Sequence, residues 1–335
     1  MYKVLLDSGA WSAYTQKKTI SIDAYMEYIR ENVKYIDYYV NLDVIGDPLK
    51  SFENYKIMRD NGFTPIPVFH AETVSNTRTF LYKYLNYTNY VAIGAIAKMH
   101  TKRRIENLDL YFKSLVDDKG FPIAKFHGFG LTSLRILKYY PWFSVDSSSW
   151  VQYGRYGIIL IPKRTNDHWD YKSEPYKVVV SSRRQDDQFH ITKYSSSQKS
   201  QFSQYLEEIG YDYAKVSTNN LNRDKVNLVY YLGIQETILK NWPRKFEWSE
   251  GTTLLGDMKS RDKPPEEMKG ENVIYIAGNF PIMNDIKKER ELKEKYPTSF
   301  NRLISFFWKE SGKTVLQLKK EDLDGSLQKG STQQP

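Results

Sequence analysis

The chain has no cysteine. That removes both a disulfide framework and any thiolate metal site. No run approaches the ~18 uninterrupted apolar residues of a membrane-spanning helix. At the N-terminus the apolar stretch is broken by Asp7 before a cleavage site could follow, so no signal peptide is expected and a soluble, cytoplasmic chain is. Neither Gly-x-Gly-x-x-Gly nor a P-loop occurs, which removes the usual phosphate-cradling signatures. Histidine is scarce, five in all, with no His-x-His or His-Glu-x-x-His spacing. No metal and no cofactor are therefore expected.

What is present is a foldable chain. Its 335 residues, 40% hydrophobic and 15% aromatic, suit about two domains and exclude wholesale disorder. The net charge of +9 fits a polyanionic partner, although a solubility charge explains it equally well. The 27 tyrosines offer stacking surfaces only where they cluster.

The first 150 residues alternate short apolar runs with amphipathic stretches. Runs at 3–6, 38–42, 65–69, 90–93, 123–126 and 142–145 are continuous in their hydrophobicity, as parallel strands covered on both faces are. Between them, Ile22, Met26, Ile29 and Val33 recur at helical spacing behind Ser21, and another helix runs over 51–60 to Gly62. Six β-then-α units predict an α/β fold. Nearly every run ends in small or polar residues: Asp7-Ser8-Gly9, Asp43, His70, Gly94-Ala95, His127-Gly128 and Asp146-Ser147. Polar ends on all strands suit the common mouth of a (β/α)8 TIM-like barrel better than the single switch point of an open sheet.

The expected organisation is six β/α units carrying the active site over 1–156, then a hairpin insertion and helical subdomain over 157–247. The hairpin pairs 158–161 with 177–180, and helices follow at 200–210 and 223–240. Within it, Phe189, Phe202, Leu206 and Ile209 are expected to pack together in place of a zinc site. A linker over 248–271 and an α/β segment over 272–321 come next, the latter with strands at 273–277 and 302–307 around a charged helix at 285–295. A disordered tail over 322–335 closes the chain.

Asp7 and Asp146 each end an apolar run and precede small residues. Either carboxylate is explained by capping the next helix. Two carboxylates across one mouth also suit covalent exchange at a sugar carbon, one as nucleophile and the other as acid/base. His70 and His127 read as structural groups or as parts of a metal-assisted hydrolase with Asp43 and Asp7. Lys102, Arg103 and Arg104, with Arg155, Arg183 and Arg184, are candidates for phosphate contacts on loops beside the mouth.

These motifs resemble those of the tRNA-guanine transglycosylases, most closely the DpdA-like branch of bacteria and phages that places 7-deazaguanines in DNA. Over roughly residues 1–240, Asp7-Ser8-Gly9-Ala10-Trp11-Ser12 is similar to the family's Asp-Ser-Gly-Gly-Phe-Gln, whose Asp works in acid/base chemistry. Asn41-Leu42-Asp43 stands where a family Asp reads the guanine edge, and Ala92-Ile93-Gly94-Ala95-Ile96-Ala97 looks like Ala-Ile-Gly-Gly-Leu-Ala, which holds the base carbonyl. His127-Gly128-Phe129-Gly130 resembles the strand end before the nucleophile strand, which Ser144-Val145-Asp146-Ser147 matches. The resemblance implies Asp146 as nucleophile, Asp7 as acid/base, and Ser8, Gly9, Asp43, His70, Gly94, Ala95, His127, Gly128 and Ser147 around the substrate. It also implies DNA ahead of tRNA as partner, 7-cyano-7-deazaguanine or a relative as incoming base, and a bacterial cell, or the host of a phage, as the setting. The chain departs from the family in lacking the zinc site, in His70 for a Gln, and in Lys98 near an expected base-reading Glu. It also begins at what would be the third strand, so a barrel would be circularly permuted. A barrel glycosylase or other hydrolase, and a non-catalytic nucleic-acid-binding subunit, are the competing expectations.

Overall fold

The computed structural model describes residues 3–70, 77–97, 99–247, 273–275, 309–310 and 313–314. The linker, the charged helix, the strand at 302–307, the tail and Lys98 lie outside the described residues. Two compact units are present, one holding the described residues up to Val68 and from Tyr275 onward, and the other those from Phe69 to Ile274. Among the described residues no helix is long and apolar enough to cross a membrane.

In the first unit, β1 (Leu5–Leu6) pairs in parallel with β2 (Tyr38–Tyr39), and Val40 bridges Ile66 in parallel. Two helices precede β2, α1 (Ala10–Thr15) and α2 (Ile22–Asn32), and α3 (Pro48–Asp60) follows it. The Ser21 side chain accepts from Ala24 N–H at the start of α2, whose Tyr25, Met26 and Ile29 are buried. Asp47 caps α3 with Pro48 in the first turn, where a missing N–H costs nothing. Leu6, Tyr25, Met26, Ile29, Leu42 and Met58 share one apolar core.

The second unit is built on a parallel sheet of four strands in the order β3 (Val68–His70), β4 (Tyr90–Gly94), β5 (Lys125–Gly128) and β6 (Ser144–Asp146). Val273–Tyr275 follows as β6's other neighbour in the sheet order. Between the strands run α4 (Thr77–Leu85), α5 (Thr101–Phe112) and α6 (Leu134–Tyr139), and α7 (Ser149–Arg155) follows β6. The chain is thus a mixed α/β protein, as the alternation of runs implies.

The strands sit about two residues downstream of several predicted runs, because pairing continues to the polar ends. Gly128 and Asp146 are therefore the last residues of their strands. Aromatic packing clamps the sheet: Phe112 meets Phe126 and Trp142 edge-on and stacks on Tyr140. Buried Arg244 donates to the carbonyls of Leu137, Lys138 and Tyr140, satisfying the orphan acceptors at the end of α6.

Beyond α7, β7 (Ile158–Ile161) pairs antiparallel with β10 (Tyr176–Val179). Between them a tight hairpin joins β8 (Lys163–Thr165) to β9 (His168–Asp170) through Asn166 and Asp167, both at positive φ. Helices α8 (Ser196–Glu208), α9 (Tyr213–Thr218) and α10 (Asn220–Thr237) complete this part, and α8 opens with a Ser195/Gln198 capping box. Phe202 and Leu206 are buried with Ile209 against them. Phe189 corrects the expectation of a common cluster, since it is 54% exposed. Helix α7 docks on α10 at Gly154, where a Cβ would overlap the Asp224 carboxylate and where Arg223 Nε donates to the carbonyl at 2.7 Å.

Candidate active site

The first unit carries Asp7, Ser8, Gly9 and Asp43 at the carboxyl ends of adjacent parallel strands. Ser8 is fully buried, and its Oγ donates to Asp43 Oδ1 at 2.7 Å while accepting from Ala10 N–H at 3.1 Å. Gly9 holds φ +76° at the start of α1, a left-handed turn that places Ser8 below Ala10. Asp7 does not cap α1, whose cap position is Gly9 with no side-chain bond. Tyr25 lies within the field of both carboxylates; burial first, then Asp7 and Asp43, push its hydroxyl well above the usual tyrosine range. That phenol therefore stays protonated and donates to the Val40 carbonyl at 2.8 Å, fixing β2. Asn41, passed over as a site residue, ties the loop further: its amide donates to Ser51 O and its carbonyl accepts from Val68 N–H at 2.7 Å.

The second unit holds Asp146 at the end of β6, buried and 7% exposed. It does not cap α7 either, since the cap position there is Ser148. Instead Asp146 Oδ1 accepts from Gly130 N–H at 2.7 Å and lies 3.6 Å from His127 Nε2. His127 Nδ1 is 2.8 Å from Ser144 Oγ, which is 2.6 Å from Tyr90 Oη. One order of donors turns an N–H toward Asp146: Tyr90 to Ser144, Ser144 to His127 Nδ1, and the Nε2 proton toward the carboxylate. The whole line is buried and spans β4, β5 and β6. Phe129 stands edge-on to the His127 ring at 4.6 Å and limits its rotation.

Small residues stand at the neighbouring strand ends. Gly130 adopts φ +67°, and a Cβ there would press on Ala97 at 2.7 Å. Gly94 closes β4, and Ala95 follows at φ +62°, a backbone that favours glycine. Buried Gly128 packs where a Cβ would meet Leu131 and Trp142. Ser147 Oγ donates to Ser149 Oγ, which is 3.2 Å from Thr132 Oγ1. His70 ends β3 and is buried.

The basic candidates divide. Lys102, Arg103 and Arg104 stand in the first turn of α5, not on a loop, which corrects that expectation. Lys102 and Arg103 are exposed, and Lys102 lies 3.9 Å from Glu106. Arg104 Nη2 holds the carbonyls of Ala97 and Met99. Arg155 ends α7, and Arg184 is anchored to Tyr156 O and Asp187 beside exposed Arg183. Among the described residues no three His or carboxylate groups cluster to hold a metal.

No family model, curated protein or solved structure matches this chain. What the site does is read from its side chains. A buried carboxylate held through one oxygen, with an imidazole beside it, is a candidate nucleophile.

Proposed function

We propose that the protein is a base-exchange glycosyltransferase acting on nucleic acid. Asp146 attacks C1′ of a target guanosine, the bond to guanine N9 breaks, and guanine leaves with that electron pair and a proton given by the acid form of Asp7. A covalent glycosyl ester remains. A 7-deazaguanine then loses its N9 proton to Asp7, the acid/base group in this reading, and attacks C1′, releasing Asp146. The observation that carries the reading is the hold of Gly130 N–H on Asp146 at a strand end, where the carboxylate serves no cap and His127 Nε2 stands 3.6 Å away. Bound through one oxygen, a carboxylate keeps a second oxygen for bond formation.

DNA is the preferred substrate, following the resemblance to the DNA-modifying branch, and the reacting nucleotide must be flipped or unpaired. The exposed Lys102 and Arg103 crowd the positive end of α5, an arrangement that the helix dipole disfavours and a phosphate relieves. The test is incubation with DNA and with tRNA beside 7-cyano-7-deazaguanine, followed by nucleoside mass spectrometry. Exchange in DNA is expected, and absence of exchange in both rejects the reading.

The finer fold in this proposal is a circularly permuted (β/α)8 barrel. Parallel pairing in both units and the place of Val273–Tyr275 beside β6 in the sheet order support it. Deleting everything after Glu271 is then expected to give insoluble protein, because sheet edges are uncovered. A soluble, active fragment overturns the barrel.

A further inference from the structure

Lined in part by Thr132 and Ser133, two and three residues beyond the Gly130 that holds Asp146, a half-open pocket of about 280 Å³ lies in the second unit. That is just below the size range of small-molecule sites, ~300 Å³ and upward. Arg104 and Lys177 supply two cations to its wall, Glu174 one carboxylate, and Tyr153, Tyr230 and Tyr231 three aromatic rings.

Two observations mark the cavity as more than a gap in packing. Tyr230 is 2% exposed, and among the described residues its buried hydroxyl has no hydrogen-bond partner. A buried phenol without a partner costs about 1–3 kcal/mol; the residue lines the pocket, and a ligand acceptor offsets that cost once the ring turns its hydroxyl inward. Arg104, committed through Nη2 to two backbone carbonyls, likewise has no protein partner at its buried Nε among the described residues. Burial raises the Tyr230 hydroxyl above its ordinary range, and Glu174 adds to it, so the group stays a donor.

We propose that this cavity binds a nucleoside monophosphate unit, with its phosphate on Arg104 and Lys177 and its base among the tyrosines. Guanine is the base that fits: its N1–H and N2 amino group present adjacent donors, which one carboxylate, Glu174, accepts together. The rings give the base face a stacking surface. Lys177 already sits 5.4 Å from the centre of the Tyr153 ring, so cation and aromatic wall are assembled before the ligand arrives. The cavity also communicates with the candidate nucleophile. Ser147, next to Asp146, bonds Ser149, Ser149 reaches Thr132, and Thr132 bonds the Tyr231 hydroxyl.

Such a unit comes either from a free nucleotide or from a nucleotide within a strand. The strand assignment rests on the exchange reading; the nucleotide chemistry does not. Calorimetry on the full chain with dGMP, with inorganic phosphate, and with a single-stranded DNA pentamer centred on guanine separates them. One dGMP per chain is expected, bound at least about tenfold tighter than phosphate, with Lys177→Glu weakening it about tenfold and Tyr230→Phe several-fold. Competition between pentamer and dGMP assigns the cavity to a strand; dGMP binding that the pentamer does not displace assigns it to a free nucleotide. Either outcome sustains the site. Phosphate binding as tight as dGMP, no binding of dGMP or pentamer, or variants of unchanged Tm that bind like wild type would overturn it. Binding requires no turnover, so a chain that fails exchange but shows the Lys177→Glu loss keeps the cavity and rejects the transferase.

Discussion

Asp43 and Asp146 are both buried carboxylates at strand ends, and each accepts a 2.7 Å hydrogen bond, but from different kinds of donor. In the first unit the donor is the Ser8 hydroxyl, a side chain that rotates and that one substitution removes. In the second it is the Gly130 N–H, part of a backbone turn at φ +67°. A hydroxyl can follow a ligand that competes for its carboxylate. A backbone donor holds its acceptor in one place whatever the ligand does. In the proposed exchange Asp43 would read a base and Asp146 would strike a fixed carbon, and reactive geometry tolerates little displacement.

Four substitutions test this contrast, the largest effect first. Asp146→Asn keeps the shape and removes the proposed nucleophile. Exchange is expected to fall about a thousandfold or more, and the denaturation-resistant protein–nucleic acid adduct to vanish from gels. Full activity in this variant removes the contrast altogether. Gly130→Ala attacks the backbone donor. Left-handed strain of about 1–2 kcal/mol and the overlap with Ala97 should lower the urea midpoint and carry exchange down with it. A Gly130→Ala chain with wild-type stability and rate would show that the turn does not set Asp146.

Ser8→Ala removes the side-chain donor. A cost of about 1–3 kcal/mol is expected, read in the same urea titration. Exchange should weaken through KM for the incoming base more than through kcat; a loss confined to kcat would put Asp43 in the chemical step. Ala95→Gly has the smallest effect and the opposite sign. Relief of about 1–2 kcal/mol of left-handed strain exceeds the roughly 0.5–1 kcal/mol of added chain entropy, so the protein should gain up to about 1 kcal/mol. A destabilised Ala95→Gly would mean that the methyl group packs favourably enough to outweigh its backbone.

The alternation of strands and helices was legible because continuous apolar runs mark strands covered on both faces. Their last residues were not. Hydrophobicity ends where the sheet meets its polar rim, whereas backbone pairing continues through His70, Gly94, Gly128 and Asp146. Residues chosen as strand-end groups did fall together within each unit: Ser8 with Asp43, and His127 with Asp146. Tyr90 and Ser144 were hidden. A tyrosine inside an apolar run reads as core, and its hydroxyl partner lies 54 residues away. Gly130 did carry a signal, standing in the His-Gly-Phe-Gly segment, but only its φ reveals the donor role. Helix α8 begins at Ser196, earlier than its apolar pattern suggests, because the Ser195-x-x-Gln198 box sets the start before any buried residue appears. Phe189 misled for a simple reason: composition carries no direction, and this ring turns to solvent.

The docking of α7 on α10 has a consequence for synthesis. Helix α7 leaves directly from the Asp146 strand end, yet its carbonyls at Trp150 and Gly154 are held by Asn227 and Arg223, which lie 77 and 69 residues further along the chain. At about 5–20 residues per second, a ribosome that has just made Asp146 needs roughly 4–16 s more before these anchors exist. During that interval the four strands β3–β6 are complete while α7 lacks both of these partners. The nascent chain therefore carries the Asp146 strand end well before the partners that hold α7 exist, and a chaperone that shields this stretch has a defined window in which to act.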